Sequence, residues 1–425
     1  MKIIKSLLSL VLLFSLLLMS ACGGGNKPAK NTGKTDLPDA LENPNIKVFL
    51  WSDPTGSWVI DFYNAFEEKY GGKVTFEISI WNELETKYVT TMAAGSGPDV
   101  IWNQEATFMR HLSGNLLMPI DDYVDLSDPL WDKEICDQFV WKGKHYLPLG
   151  KNSQTARLVF FNKTMFERNG VKTPLEYYEE GEWNWESFAA AGREITMDTN
   201  ADGKVDQWGW ASWMMSLFVP SNGGAMTTFD GKTDTITNTI DSPATMEAMQ
   251  FLKDGYTNNP FIMPDGNTAY QSAFTQGTVA MITEGQWIAD QVIVKNKMTD
   301  EWDVVPFPVG PQNTAGTNPC SAAGWTIAQG TKNPEGAAAF CRMYTEMEQE
   351  KSDKDLQKYY SKEQVARINK AKEKPLINMF ETGFGNWQST QWNFWFEIIG
   401  PDSVSTVTAK YKPLLDRAID ETVNN

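Results

Sequence analysis

The chain reads as an α/β protein of two lobes, on two observations. Between Ile46 and Gln104, runs with β alternation take turns with runs of helical period. At this spacing the alternation builds a mostly parallel sheet with helices on its faces. The length is too great for one domain: removing a leader of residues 1–21 from 425 leaves 404, two to three times the usual domain. A leader precedes this folded part and is expected to send it across a membrane.

That leader has Lys2 and Lys5, an apolar run Leu7–Met19, and then Ser20-Ala21-Cys22. A basic start, a short apolar stretch and small residues before a cleavage point make a secretory signal peptide. The run falls short of the roughly 20 apolar residues a membrane span needs. Cys22, followed by Gly23-Gly24-Gly25, resembles the lipidated cysteine of a bacterial lipobox, with Met19 where Leu is commoner. The alternative is an ordinary signal peptide with an incidental cysteine. Residues 22–45 are polar and Gly-, Asn-, Lys- and Pro-rich, a flexible tether.

Removing Lys2 and Lys5, with no acid among residues 1–21, moves the formal charge from −17 to −19. So acidic a chain disfavours phosphate backbones, and nucleic acid is excluded as a partner. Only His111 and His145 offer imidazole, little material for metal or nucleophile chemistry, whereas there are 17 Trp. Beyond Cys22, the thiols Cys136, Cys320 and Cys341 are odd in number, so they form at most one pair and otherwise stay free.

Order begins with a strand at Ile46–Trp51. Trp58, Phe62, Phe66 and Tyr70 recur every four residues as a helix face ended by Gly71-Gly72. Val74, Phe76, Ile78 and Ile80 alternate with polar residues as the next strand, and Asn82 is placed to cap a helix carrying Leu84, Tyr88 and Met92. Pro98 precedes a third strand, Asp99–Trp102. Ligands of such sheets sit beyond the carboxyl ends of the strands. Those ends carry Trp51 with Asp53, Trp81 with Glu83, and Trp102 with Asn103, each an aromatic beside a polar group. Further on, Ser242-Pro243 and Asn333-Pro334 are helix starts, Gly277 closes a helix before a strand from Val279, and Val404–Ala418 is a terminal helix containing Pro413.

Several segments resemble, in order, the signature of extracellular solute-binding proteins of the sugar type, which serve ABC importers. They are Gly97-Pro-Asp-Val100, Gly114–Asp121, Phe161-Asn-Lys163 with Gly170 and Pro174, Trp185–Phe188, Phe274–Met281 with Gly285 and Trp287, and Ala323–Trp325 with Thr331–Ala338. The resemblance implies a type II periplasmic-binding-protein-like fold, two hinged α/β lobes with a ligand cleft between them. It places lobe one at 46–152 plus 303–345 and lobe two at 153–302 plus 346–425, with crossings near Pro148–Phe160, Met298–Asp303 and Thr345–Ser352. It also ranks Trp287 and Trp325 first among cleft aromatics.

Asp198, Asn200, Asp202, Gly203, Lys204 and Asp206 match the start of an EF-hand-type calcium loop, the Lys204 carbonyl included. Position twelve is Gly209 rather than Glu, so Gln207 or a distant carboxylate has to complete a structural Ca²⁺ site; a metal-free Asn/Asp/Gly turn is the alternative. Indole faces stack on the C–H faces of pyranose rings, which makes Trp51, Trp81, Trp102, Trp210, Trp213, Trp287, Trp325 and Trp387 candidate ligand contacts, with Asp53, Glu83, Asn103 and Glu284 as hydrogen-bonding partners. No Gly-x-Ser-x-Gly, His-Glu-x-x-His or phosphate-cradling loop is present.

The expectation is therefore a non-enzymatic, lipid-anchored, monomeric receptor for an oligosaccharide, partnered by an ABC permease on the outside of a Gram-positive cell. The rivals are a receptor for a peptide or other solute, a glycan-active enzyme with a carboxylate pair, and an adhesive module.

Overall fold

The computed structural model describes residues 38–230, 233–264, 266–377 and 380–423. Cys22 and most of the tether lie outside the described residues. Among those described, no helix is long and apolar enough to cross a membrane.

Two sheets organise the chain. In the first, Ile46–Leu50 lies parallel to Val74–Ile78 and to Val100–Gln104, while Asn318–Ile327 runs antiparallel to Val100–Gln104. Gln154–Ala156 and Pro375–Ile377 add to Asn318–Ile327. In the second, the order is Trp302–Pro306, Leu158–Asn162, Val279–Glu284, Trp208–Ala211. The stretches buried on both sides are apolar: Val48 and Phe49, and Leu158 to Phe161, have no exposed surface.

Arg157 alone separates the last strand residue on the first sheet, Ala156, from the first on the second, Leu158. The crossing is pinned by Arg157 N donating to Pro319 O at 2.9 Å. The return crossing lies between Pro306 and Asn318, later than the sequence suggests. Asp303–Pro306 belongs to the second sheet, paired with Leu158–Phe161, and Trp302 packs on Phe160 at 5.9 Å. Residues 346–425 are likewise not confined to one lobe. Helix Lys362–Ala371 lies on the second sheet, where Arg367 Nε donates to Val304 O at 2.8 Å, and Pro375–Ile377 returns to the first.

The helix starts follow their side chains. Ser242 accepts from Thr245 N, and Asn333 accepts from Gly336 N at 3.2 Å. Helix Trp81–Ala93 begins two residues earlier than a cap at Asn82 suggests, with Ile80 as its uncapped N-cap. On the edge strand Val74–Ile78 the apolar face is only partly covered, so Phe76 and Ile78 are exposed. Helix Val404–Val423 runs through Pro413. All three described cysteines are buried and free.

Candidate functional site

The carboxyl ends of the first sheet carry a row of rings. Trp51 meets Trp81 edge-on at 5.5 Å and Trp102 at 5.4 Å. Trp102 continues to Tyr344 at 6.1 Å, and Tyr344 to Trp58 at 5.1 Å. Such contacts fix ring orientation and contribute about 0.5–1.5 kcal/mol each beyond burial. Trp51 and Trp81 remain 37% and 40% exposed, an unusual state for indole unless the face is used.

A cavity lies at each end of the row. One, of about 280 Å³, is lined by Trp81, Glu85, Trp102 and Arg110, with Gln388 reaching in from the C-terminal region. Arg110 is held there by Glu85 Oε2 at 2.7 Å and by Thr382 O at 2.9 Å, so its guanidinium is fixed before any solute arrives. The other, of about 230 Å³, has Trp58 from the first lobe, Thr155 beside the crossing, and Gln286 and Trp287 just past the second sheet. A Cβ on Gly285 would fall 2.3 Å from Thr155 Cγ2. Only glycine lets the end of strand Val279–Glu284 come this close to the crossing.

A family model for bacterial extracellular solute-binding proteins matches residues 51–351. The chain belongs to this family. Its members are bacterial and extracellular, which agrees with a secretory leader. Among curated relatives, a Brucella abortus chain designated a binding protein is 26% identical over 290 residues, 64% of each chain. The diacetylchitobiose binding protein DasA of Streptomyces coelicolor is 26% identical over 172 residues, 38% of each chain. The match thus spans less than two thirds of the length of these relatives. In fold, the chain is similar to the ABC substrate-binding protein Lmo0181 from Listeria monocytogenes, solved in complex with cycloalternan. The TM-score is 0.69 at 19% identity, covering 90% of this chain and 99% of that one.

In this solute-binding protein, the expected contact residues divide by burial. Trp51, Asp53, Trp81 and Glu83 are exposed, and Trp102, Trp213 and Trp287 are half-buried. Asp53 accepts from Thr55 N at 2.9 Å, and hydrogen bonding to Thr55 holds its carboxyl below the usual range. Trp213 lies 6.4 Å from Trp392 of helix Trp387–Ile398, a ring that sequence reasoning left unranked.

Five others are interior and, in this conformation, do not offer a face to solute. Asn103 Oδ1 accepts from Gln104 N at 3.0 Å and Thr107 Oγ1 at 2.9 Å, and lies 3.1 Å from His111 Nδ1; it organises the start of helix Glu105–Ser113. Burial pushes His111 down to about 3, so the ring is neutral there. Trp210 is fully buried, its Nε1 donating to Thr283 Oγ1 at 3.0 Å. Trp325 is 4% exposed beneath Trp102, and Trp387 packs on Phe394 and Tyr411. Glu284 accepts from Tyr270 Oη and from Gln271 Nε2 at 3.0 Å, and burial raises its pKa.

Sequence reasoning missed Trp58, Tyr344, Glu85, Arg110 and Gln388. Trp58 and Tyr344 fit helical core periodicity. Their signal would have been position: Trp58 opens its helix right after the turn that follows strand Ile46–Leu50.

The loop of Asp198, Asn200, Asp202, Lys204 and Asp206 closes on its own hydrogen bonds. Asp198 Oδ2 accepts from Gly203 N at 2.7 Å, Asn200 Oδ1 from Asp202 N at 2.9 Å, and Asp202 Oδ1 from Lys204 N at 2.9 Å. Asp206 Oδ1 accepts from Thr199 N at 2.8 Å. Among the described residues no group of three or more His, Cys, Asp or Glu is gathered for a metal. The residues named to complete a calcium sphere are committed elsewhere. Gln207 Nε2 donates to Ile195 O at 2.7 Å, and a Cβ on Gly209 would fall 2.2 Å from Gly192 O, leaving no room for Glu at position twelve. Neither Gln207 nor position 209 adds a ligand to the loop's own oxygens.

Proposed function

We propose that the chain is the substrate receptor of an ABC importer and that its solute is a carbohydrate of two or more units. The observation that carries this reading is the row Trp81–Trp51–Trp102, with exposed indoles at the mouth of one cavity and Trp287 of the other lobe in the second cavity. Flat apolar rings with fixed hydrogen-bonding groups beside them, Arg110 and Glu85 here, match the alternating C–H faces and hydroxyls of pyranoses. Diacetylchitobiose, for which DasA is named, and cycloalternan, bound in the Lmo0181 complex, are carbohydrates of this class.

Closure around solute would follow from the build. The two sheets are joined at Arg157 and between Pro306 and Asn318, and Tyr360, just after helix Pro334–Tyr359, donates its Oη to Gln286 O of the second lobe. A solute touching both lobes stabilises the closed form by its differential affinity for it, and a permease that reads the closed form responds to loading. No bond is made or broken in this scheme. Lipidation at Cys22 would hold a monomeric receptor at the surface of a Gram-positive cell. Its tether would reach roughly 25–30 Å as a flexible coil, raising the effective concentration at the permease.

Melting-temperature shifts across a panel of sugars test the reading. A rise with an oligosaccharide supports it. Silence from every sugar together with a shift by a peptide overturns it.

A further inference from the structure

Helix Trp387–Ile398 buries Trp387, Gln391, Phe394, Trp395 and Ile398 and turns its opposite face outward. Gln388, Trp392 and Phe396 recur on that face every four residues, so they stand one above another. The solvent side of a helix is ordinarily polar or charged, yet here the indole of Trp392 is 37% exposed and the ring of Phe396 47% exposed. The other exposed groups beside them, Ser389 and Asn393, are polar and uncharged. Glu397, the one acid in this helix, is taken up by Lys410 at 2.6 Å and Tyr411 at 2.9 Å. The face is therefore neutral and aromatic.

This stripe is continuous with the site. At its start, Gln388 lines the cavity of about 280 Å³ together with Trp81, Trp102 and Arg110. One turn on, Trp392 meets Trp213 at 6.4 Å, the planes tilted by 39°. Phe396 follows at 6.3 Å from Trp392, tilted by 31°. Trp213 comes just after strand Trp208–Ala211, at the carboxyl end of the second sheet, the end where ligands of such sheets sit. From Gln388 to Phe396 the helix advances about 12 Å, at roughly 1.5 Å per residue. We infer that Trp213, Trp392 and Phe396 form a stacking track for the solute, so that the favoured carbohydrate is a neutral chain long enough to run from the Trp81 cavity over Gln388 onto Trp392. The inference rests on the carbohydrate reading and adds length to it. With no free charge on the face, ring stacking and amide hydrogen bonds are what it offers, and each added sugar ring covers more apolar surface. A short solute leaves Trp392 and Phe396 bare.

Calorimetric titration of the full chain tests this with three neutral series: α-1,4-glucans, β-1,4-glucans and N-acetylated chito-oligosaccharides, each from disaccharide to hexasaccharide. In the series that binds, the hexasaccharide should bind about tenfold tighter or better than the disaccharide. Trp392→Gln, a change that an exposed helix position tolerates, should bring that ratio close to one. Trp392→Phe keeps a ring for stacking and should retain most of the ratio, and Phe396→Ala should lower it by a smaller factor. Because the readout is a ratio within one protein, a loss of folded material does not imitate it. A ratio near one in the parent, or an unaltered ratio in Trp392→Gln, overturns the track and spares the carbohydrate reading; the exposed rings would then belong to another partner. Silence from all three series overturns the track, and the carbohydrate reading then stands or falls on the wider sugar panel.

Discussion

Trp102 and Trp325 face each other across the antiparallel pair of strands, their rings meeting near edge-to-face at 5.4 Å, yet one is half-exposed and the other 4% exposed. The buried ring is the floor on which the exposed one rests. Trp325→Ala should therefore cost about 3–5 kcal/mol of stability, the range for deleting a buried aromatic. Loss of solute binding should follow only as a secondary effect of displaced Trp102. Urea unfolding checks the first part and titration at a temperature where the variant is folded checks the second.

Trp81→Ala should behave in the opposite way. The ring is 40% exposed and lines the 280 Å³ cavity, so its loss should leave the urea midpoint nearly unchanged. Solute affinity should fall roughly tenfold or more, as expected for removing an aromatic anchor worth at least about 1.4 kcal/mol. A variant with native affinity would show that the row does not touch solute.

Stability should fall as pH rises between about 4.5 and about 7. Glu105, Glu348 and Glu381 are each lifted by burial from 4.5 to about 7. Within that window the folded chain keeps protons that the unfolded chain has lost, so each group withdraws up to about 1.4 kcal/mol per pH unit. Below the window both states are protonated and above it both are ionised, so the slope from these groups vanishes. Glu105 Oε2 accepts from Ala322 N at 2.9 Å, an interaction that Gln can retain through its carbonyl. Glu105→Gln should therefore flatten the profile, measured as urea midpoint against pH.

Gly209→Ala should destabilise the second lobe by about 1–3 kcal/mol or more, because the added methyl would meet Gly192 O at 2.2 Å. The same change tests why the loop ends in glycine rather than a ligand. If Gly209→Ala melts like the parent, the close approach of strand Trp208–Ala211 to helix Trp185–Ile195 is not what excludes a side chain there.

Cys22→Ser should release the chain into the medium with its solute affinity unaltered, as followed by fractionation and titration. Reduced affinity in the released chain would place the tether at the binding site.

Much of the fold was readable along the chain. Ser242-Pro243 and Asn333-Pro334 start helices as their side chains dictate, and the strands at Ile46, Val74 and Val100 appear where alternation puts them. The candidate site was readable only in part. Trp51, Trp81, Trp102 and Trp287 line the row or a cavity, whereas Asn103, Trp210, Trp325, Trp387 and Glu284 are interior. Trp58 and Tyr344, whose spacing is that of core helix residues, complete the ring row instead.

The division has a physical basis. Sequence by itself determined what near neighbours decide: strand and helix periods, caps, the glycines at turns, and the ordered motifs that mark the family. Only the tertiary structure decided which indoles face solvent, that Asp303–Pro306 joins the second sheet, and that Gly209 has no room for a ligand. Each of these depends on a partner distant in sequence, such as Trp325 for Trp102 or Leu158 for Pro306. Burial is a property of that partner's position, and no local pattern encodes it.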